Sequence, residues 1–205
     1  MLLQLHPDNP NPRQLKMIVE CLKDGGVIIY PTDTVYGMGC DIYQHKAIER
    51  VARIKGVDPK KAHFSFICSD LSHLSDYTKS VDTPIFRMLK KALPGPYTFI
   101  MHASKQVPKL MKNKRDTVGI RVPDNKICHA IVEELGNPIM STTLPVDDYI
   151  EEYTDPEIIH EKFGNQVDIV VDGGAGGIVF STVIDCTSGE PELVREGAGS
   201  FEAIT

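Results

Sequence analysis

Short apolar runs alternate with helical patterns along this whole chain of 205 residues, and this alternation limits its fold more than any other feature. The run at residues 27–30 is continuous, β-branched and aromatic, as is typical of a buried strand. Upstream of it, apolar residues recur at helical spacing from Leu15 to Leu22 and predict a helix that begins at Asn11-Pro12. Because this alternation continues without a linker-like change in composition, we expect one α/β domain over residues 1–205, with a mostly mixed sheet flanked by helices.

The later elements are predicted in the same way, from helical spacing or from short apolar runs. Further helices are expected at residues 47–54, 84–93, 127–135 and 156–163. Further strands are expected at residues 64–68, 97–102, 118–122, 138–140, 167–171 and 178–184. The glycine-rich segment 172–177 precedes a strand-like run rather than a helix. It therefore predicts a connection between strands and not a phosphate-binding loop, which needs a helix N-terminus next.

Composition and cysteine usage restrict the class of protein. The 22 Lys+Arg against 28 Asp+Glu give a net charge of −6, which argues against a dedicated nucleic-acid binder, although a local basic face is compatible with it. No apolar run approaches the roughly 18 residues of a membrane span. The five cysteines are widely spaced without a C-x-x-C pair, and the N-terminus lacks the features of a signal peptide. We therefore expect a cytoplasmic protein with reduced thiols, no zinc site and no membrane span.

Polar groups are concentrated in the segment Pro31-Thr-Asp-Thr-Val-Tyr-Gly-Met-Gly39, directly after the strand predicted at residues 27–30. In open α/β sheets, ligands bind outside the carboxyl ends of strands, which is where this segment is expected. A turn whose hydroxyl and carboxylate groups bond only to their own backbone explains the same residue types. The pattern alone leaves both interpretations open.

Two basic segments have a functional and an ordinary interpretation. Residues 55–61 contain Lys55, Lys60 and Lys61, which are able to hold phosphate as point charges. Residues 105–115 contain five basic residues and no acid, a composition that suits contacts with a phosphate backbone. For each segment in isolation, a solvated charged surface is the favoured explanation.

Several short motifs occur in a fixed order along nearly the whole chain. They are Pro31-Thr-Asp-Thr-Val-Tyr-Gly-Met-Gly39, Lys55 after Arg53-Ile54, Pro94-Gly-Pro-Tyr-Thr98, Thr117-Val-Gly-Ile-Arg-Val-Pro123, Pro138-Ile-Met-Ser-Thr-Thr143, Asp172-Gly-Gly174, Ser181-Thr-Val-Ile-Asp185 and Val194-Arg-Glu-Gly197. In this order they resemble the YrdC/YciO family, the threonylcarbamoyl-AMP synthase-like proteins.

The resemblance implies a YrdC-like domain, in which a twisted α/β sheet has a concave, polar face. It also implies an enzyme that condenses L-threonine, bicarbonate and ATP into threonylcarbamoyl-adenylate and pyrophosphate, usually with Mg²⁺. That product serves the modification of adenosine 37 in certain tRNAs, so tRNA or double-stranded RNA is an implied partner. Such chemistry needs cations and hydroxyl donors around a polyphosphate, and no protein nucleophile.

The resemblance further implies roles for individual residues. Thr34, Arg121 and Ser181 match positions that hold the amino acid, and the Arg121 guanidinium is able to bind its carboxylate through two parallel hydrogen bonds. The nucleotide-side positions are matched by Lys55, Thr117, Thr142, Thr143 and Arg195. Lys55 and Arg121 are the residues expected to act in catalysis, and no metal-ligating set is expected.

Two positions depart from the family pattern. Its K-x-R motif reads Lys55-Gly56-Val57, so the second cation is absent, and its S-x-N motif reads Thr143-Leu144-Pro145, so the asparagine amide is absent. Both departures place the chain nearer to the YciO branch than to the housekeeping synthase. Lys60 or Lys61 is the candidate replacement for the arginine, although a lysine does not reproduce bidentate phosphate binding. The alternative to a synthase, weakened or not, is a module that binds a nucleotide or double-stranded RNA without efficient turnover.

Overall fold

The strands of the computed structural model form one mixed sheet in the residues that it describes, which are 1–59, 62–109, 116–147 and 149–205. These strands are β1 (Leu2–Gln4), β2 (Ile28–Tyr30), β3 (Gly37–Asp41), β4 (Ser65–Ile67), β5 (Tyr97–His102), β6 (Thr117–Arg121), β7 (Ile139–Thr143), β8 (Ile169–Asp172), β9 (Thr182–Asp185) and β10 (Glu192–Arg195). Their order across the sheet is β1-β8-β2-β3-β7-β4-β6-β5-β9-β10. The pairs β1/β8, β8/β2, β4/β6 and β5/β9 are parallel, and the other neighbours are antiparallel.

Helices flank this sheet, and capping residues determine where they begin and end. The helices are α1 (Pro12–Lys23), α2 (His45–Lys55), α3 (Leu74–Tyr77), α4 (Thr83–Ala92), α5 (Lys126–Leu135) and α6 (Pro156–Phe163), with a 3-10 helix at Ile150–Thr154. The Asn11 side chain caps α1 by accepting a hydrogen bond from the Arg13 backbone N–H at 2.9 Å. Gly56 ends α2 with a φ of 74°, a left-handed conformation that glycine adopts without steric penalty.

Apolar side chains pack on both faces of the sheet. One layer joins Ile67 and Ile139 of the strands to the buried faces of α1 and α5. The opposite layer joins Phe66 and Ile120 to buried side chains of α2, α4 and α6. Because consecutive residues of a strand point to opposite faces, adjacent Phe66 and Ile67 contribute to different layers.

The predicted fold class is confirmed, and a helix or strand is present at each expected place. Two strand boundaries differ from the prediction by three residues or more, and the others differ by at most two. β7 extends beyond Met140 to Thr143, because the polar residues at its end pair with β3 and do not interrupt it. β9 begins only at Thr182, so the apolar run that starts at Ile178 is not part of the strand.

Five short elements were not predicted, namely β1, α3, β3, β10 and the 3-10 helix at Ile150–Thr154. β3 contains Gly37 and Gly39 and therefore resembles a loop in sequence. A Cβ at position 39 would lie 2.2 Å from the Met140 carbonyl oxygen, so glycine is what permits β3 to pair with β7. All of β10 is exposed, so no alternation of apolar and polar residues marks it.

Some sequence predictions concern residues outside the described ranges. Lys60 and Lys61 lie outside them, as do residues 110–115 of the basic segment 105–115. All five cysteines are free thiols. Within the described ranges, no helix has the length and apolar character needed to cross a membrane.

Candidate active site

An open cavity of about 200 Å³ lies on the sheet face where the apolar layer beneath α1 and α5 ends. Ile139 and Ile67 of that layer face each other across β7 and β4. Two residues farther along, Ser141 of β7 pairs with Ser65 of β4. Ser65 in turn pairs with Gly119 of β6. All three of these residues line the cavity. Small polar residues thus replace aliphatic ones, and the sheet itself forms the cavity floor.

Arg121, the last residue of β6, lines the cavity with its side chain 9% exposed. Its Nη2 donates hydrogen bonds to Asp33 Oδ1 at 3.2 Å and to Thr34 Oγ1 at 3.0 Å. Its Nε is buried and has no hydrogen-bond partner within the described part of the chain. An unpaired buried donor is costly, so this guanidinium is suited to bind an anionic group of a ligand.

Asp33 holds Arg121 and is not itself among the described residues that line the cavity. Its second carboxylate oxygen accepts a hydrogen bond from the Asp124 backbone N–H at 3.0 Å. Burial raises the pKa of Asp33, against the opposing effects of this hydrogen bond and of Arg121. The neighbouring Thr34 hydroxyl is fixed as well, because it lies 3.1 Å from Thr32 Oγ1. These contacts give Arg121 a defined position before any ligand binds.

Lys55, the last residue of α2, reaches the cavity through Thr143. Its Nζ donates to Thr143 Oγ1 at 2.8 Å and to the Leu144 carbonyl oxygen at 2.9 Å. Both acceptors are neutral, and burial lowers the pKa of Lys55. The half-buried ammonium therefore has no carboxylate partner in the described residues, and an anion beside Thr143 would stabilise its charge.

Arg195, the last residue of β10, contributes a second guanidinium to the cavity lining. Its Nη2 donates to the Ser181 carbonyl oxygen at 2.8 Å, and its guanidinium lies 5.3 Å from the centre of the Phe180 ring. Burial, followed by repulsion from Arg121, lowers the pKa of Arg195. Arg121 and Arg195 are thus close enough to repel each other. No aspartate or glutamate is among the described residues that line the cavity. This local excess of positive charge favours a bound anion in a chain whose net charge is −6.

The structure brings all the predicted site residues to this one place. Thr117, Arg121, Thr142, Thr143, Ser181 and Arg195 line the cavity. Lys55 and Thr34 stand one hydrogen bond behind the lining, on Thr143 and Arg121 respectively. Their individual roles toward a ligand stay predictions.

Sequence reasoning assigned no role to several residues that belong to the cavity. Ser65, Ser141, His63 and Thr98 line it, and the Thr98 hydroxyl lies 2.8 Å from the hydroxyl of Ser181. The sequence does contain a signal for these lining residues, because small or polar residues occur at alternate positions of β4, β5, β6 and β7. It becomes informative only when the register of the strands is known.

The glycine-rich segment 172–177 has a structural role, in agreement with its predicted use as a connection between strands. The Gly177 backbone N–H donates to the Thr34 carbonyl oxygen at 2.8 Å, and the Tyr36 phenol donates to the Gly174 carbonyl oxygen at 2.7 Å. A Cβ at Gly177 would lie 2.6 Å from the Thr34 carbonyl oxygen. The segment thus packs closely behind the residues that hold Arg121.

The two departures from the family motifs flank Lys55. Val57 follows it by two residues and is 37% exposed, and Pro145 follows Leu144, whose carbonyl accepts a hydrogen bond from Lys55. Neither side chain offers a donor, and Pro145 also lacks a backbone N–H. Neither departure therefore supplies a side-chain donor to an anion bound near Lys55.

Comparison with known proteins assigns the chain to a family. The Sua5/YciO/YrdC family model, described as "Telomere recombination", matches residues 20–197. The Escherichia coli (strain K12) protein YciO, itself uncharacterized, is 45% identical over 201 residues, which cover 97% of this chain and 96% of YciO. A threonylcarbamoyl-AMP synthase from Coxiella burnetii (strain RSA 493) is 31% identical over 173 residues, which cover 84% of this chain and 92% of the synthase.

Solved structures agree with this assignment. The crystal structure of E. coli YciO has a TM-score of 0.93 at 42% identity and covers 100% of this chain and 99% of its own. The P. abyssi Sua5 protein, crystallised in complex with L-threonine, shares the fold with a TM-score of 0.88 at 24% identity, over 100% of this chain and 59% of Sua5. The predicted membership is confirmed, and the chain belongs to the Sua5/YciO/YrdC family.

Proposed function

We propose that this protein condenses L-threonine, bicarbonate and ATP into threonylcarbamoyl-adenylate and pyrophosphate, as a synthase of reduced efficiency. The observation that carries the proposal is the arrangement of Arg121, Arg195 and Lys55 around a floor of hydroxyl groups, with no carboxylate among the described lining residues. A polyphosphate and a carboxylate are the ligands that such a site neutralises. The 31% identity to a threonylcarbamoyl-AMP synthase supports this choice of reaction.

In this proposal, Arg121 receives the carboxylate of L-threonine. Its Nη2 is occupied by Asp33 and Thr34, so the other nitrogens of the guanidinium are left for the ligand. The hydroxyl of Ser181, 2.8 Å from that of Thr98, supplies a further polar contact for the amino acid. L-threonine bound to the P. abyssi relative of this fold supports a small amino acid as substrate.

The nucleotide is assigned to Lys55, Arg195 and the threonines of β6 and β7. Lys55 and Arg195 neutralise phosphate charge, and Thr117, Thr142 and Thr143 offer hydroxyl donors. No group of three or more histidine, cysteine, aspartate or glutamate residues in the described chain is placed to bind a metal ion. A Mg²⁺ ion would accordingly be held by the phosphates and water, which is its usual mode in nucleotide sites.

The proposed reaction has two bond-forming steps. The threonine amine nitrogen bonds to the carbon of bicarbonate with loss of water, which gives a carbamate. A carbamate oxygen then attacks the α-phosphorus of ATP, and the bond from that phosphorus to the β-phosphate oxygen breaks to release pyrophosphate. The protein contributes by holding the two anions in line and by stabilising the charge that moves onto the leaving group. The adenylate product would serve the modification of tRNA adenosine, as the resemblance implies.

Pyrophosphate release tests this proposal. We expect release that depends on ATP, L-threonine and bicarbonate together. Arg121→Ala should reduce it at least about tenfold, because the lost hydrogen bonds to the L-threonine carboxylate are worth about 1.5–3 kcal/mol. Arg53→Ala is the matched control, because Arg53 is an exposed arginine of α2. ATP binding without release under any substrate combination would contradict the proposal and support the binding-module alternative.

A further inference from the structure

We propose that Tyr30 is a positioning residue that makes Ser141 a hydrogen-bond donor to an oxygen atom of the ligand in the cavity. The inference rests on the proposed function and deepens it, since it concerns which ligand atoms the same cavity recognises. Tyr30 ends β2 and is 0% exposed, whereas Ser141 lies on β7 and lines the cavity. The phenol therefore acts on a ligand only through the serine.

The hydrogen bond between these two residues has a defined direction. The Tyr30 phenol donates to Ser141 Oγ at 2.6 Å. Burial raises the pKa of Tyr30, so the phenol keeps the proton that it donates. A serine oxygen that accepts from a phenol retains its own hydrogen for a different acceptor. Ser141 Oγ makes no other hydrogen bond in the described residues, which leaves that hydrogen available to the cavity.

Packing around the pair limits the alternatives open to the serine. A Cβ at Gly37 would lie 3.2 Å from Ser141 Oγ and 3.3 Å from Tyr30 Cζ, closer than side chains normally approach. Across the sheet, Ser141 pairs with Gly39, which has no side chain, and with Ser65, whose hydroxyl makes no hydrogen bond to Ser141 Oγ in the described residues. Gly37 thus leaves space that the phenol and the serine hydroxyl fill together.

A donor fixed at this point selects the chemistry of the ligand atom that it meets. Carboxylate, carbamate and phosphate oxygens accept hydrogen bonds and do not donate them, so each fits beside Ser141. An ammonium group offers only donors and does not fit. Ser141 thereby adds a directional neutral donor to the charge supplied by Arg121 and Arg195, and it discriminates by geometry where the arginines discriminate by charge.

A double-mutant cycle tests the positioning role. L-threonine binding is measured by calorimetry for the wild-type protein, Tyr30→Phe, Ser141→Ala and the double variant. Phenylalanine keeps the ring that packs in the core and removes only the phenol. Tyr153→Phe is the matched control, because Tyr153 is a buried tyrosine whose phenol donates to Asp147 Oδ2 at 2.9 Å and which does not line the cavity.

We expect Tyr30→Phe to weaken L-threonine binding about three- to tenfold, the effect of one hydrogen bond, and Tyr153→Phe to leave it unchanged. In the Ser141→Ala background, Tyr30→Phe is expected to have no further effect, because the serine is the route by which Tyr30 acts. An effect of Tyr30→Phe that is equal in both backgrounds, or that is absent from both, overturns the proposal.

Failure of the proposed function gives a different result. In that case the wild-type protein does not bind L-threonine, and the same four proteins are titrated with inorganic pyrophosphate. A loss of pyrophosphate affinity on Tyr30→Phe that disappears in Ser141→Ala keeps the donor role while the threonine assignment fails. The donor role is overturned as well if that coupling is absent, or if neither L-threonine nor pyrophosphate binds.

Discussion

Arg121 and Asp33 are 88 positions apart in the chain, yet their side chains meet at 3.2 Å and each is 9% exposed. Asp33 follows β2 and Arg121 ends β6, and β3, β7 and β4 separate those two strands in the sheet. With about 4.8 Å between neighbouring strands, the segment after β2 must cross the width of three strands to make this contact. The ion pair therefore joins Arg121, which lines the cavity, to the segment that follows β2.

Asp33 makes the free energy of unfolding depend on pH in a defined direction. Burial raises its pKa in the folded protein above the ordinary 3.8, so the folded state binds this proton more tightly than the unfolded state does. The resulting contribution to stability is fully present below the unfolded pKa and is lost as the pH rises through the raised folded pKa. We expect Asp33→Asn to remove this component from chemical unfolding curves recorded between about pH 3 and pH 7.

Asp8→Asn is the comparison, because Asp8 changes the free energy of unfolding with pH in the direction opposite to that of Asp33. Asp8 is exposed, and its hydrogen bond and ion pair with Lys126 lower its pKa. Its contribution to stability is therefore present above the unfolded pKa and is lost as the pH falls through the lowered folded value. Equal pH profiles for the wild-type protein and Asp33→Asn would show that Asp33 does not titrate as described.

Gly119 keeps the floor of the cavity open. A Cβ at this position would lie 2.6 Å from Ser65 Oγ and 3.3 Å from Thr98 Cγ2, so a larger side chain displaces both groups and occupies the cavity. We expect Gly119→Val to reduce the affinity for L-threonine and for ATP more than about tenfold while the fold persists, because β-branched residues suit strands. Calorimetry and thermal unfolding measure the two effects, and unchanged affinity in a folded variant would place the ligands elsewhere.

Arg195 is expected to act on the nucleotide more than on the amino acid. Arg195→Ala should weaken ATP binding by about 1.5–3 kcal/mol, the range for hydrogen bonds to charged groups. The charge-matched control is Arg53→Ala, which removes an exposed arginine of α2. Calorimetry with ATP and Mg²⁺ measures both variants, and an equal effect of the two substitutions would reduce the role of Arg195 to one of net charge.

Because Val57 and Pro145 replace the last residues of the K-x-R and S-x-N motifs, we expect this protein to be a slower synthase than relatives in which both motifs are complete. Both positions flank Lys55, so the double change Val57→Arg with Pro145→Asn restores a cation and an amide beside its ammonium. Each such donor is typically worth about 10²–10³ in rate, although neighbouring groups do not contribute additively. Assay of threonylcarbamoyl-adenylate formation should show a large gain. Wild-type activity equal to that of a synthase with both motifs would contradict this account.

The sequence predicts much of the fold because its main elements are strongly patterned. α1 has an asparagine cap and helical spacing, and β2 is a continuous run of β-branched and aromatic residues. β3 was missed because Gly37 and Gly39 are disfavoured in strands in general, and only the approach of β7 explains them. Local patterns carry no information about such a partner.

The site was predictable only in part, for a similar reason. Arg121 and Lys55 stand in recognisable motifs, and the resemblance to a family identified them. Ser65 and Tyr30 acquire a place in the site only through the register of β4 and β7 and through the contact between β2 and β7 across β3. Those relationships depend on the three-dimensional pairing of distant segments.

The most direct test of the central claim follows the carbon of bicarbonate. The protein is incubated with ATP, Mg²⁺, L-threonine and ¹³C-labelled bicarbonate, and the nucleotides are analysed by mass spectrometry. We predict an adenylate that contains both threonine and the labelled carbon. It is absent when either substrate is left out, and its yield falls when Arg121 is replaced by alanine. Wild-type protein that binds ATP and L-threonine but forms no labelled adenylate would contradict the claim.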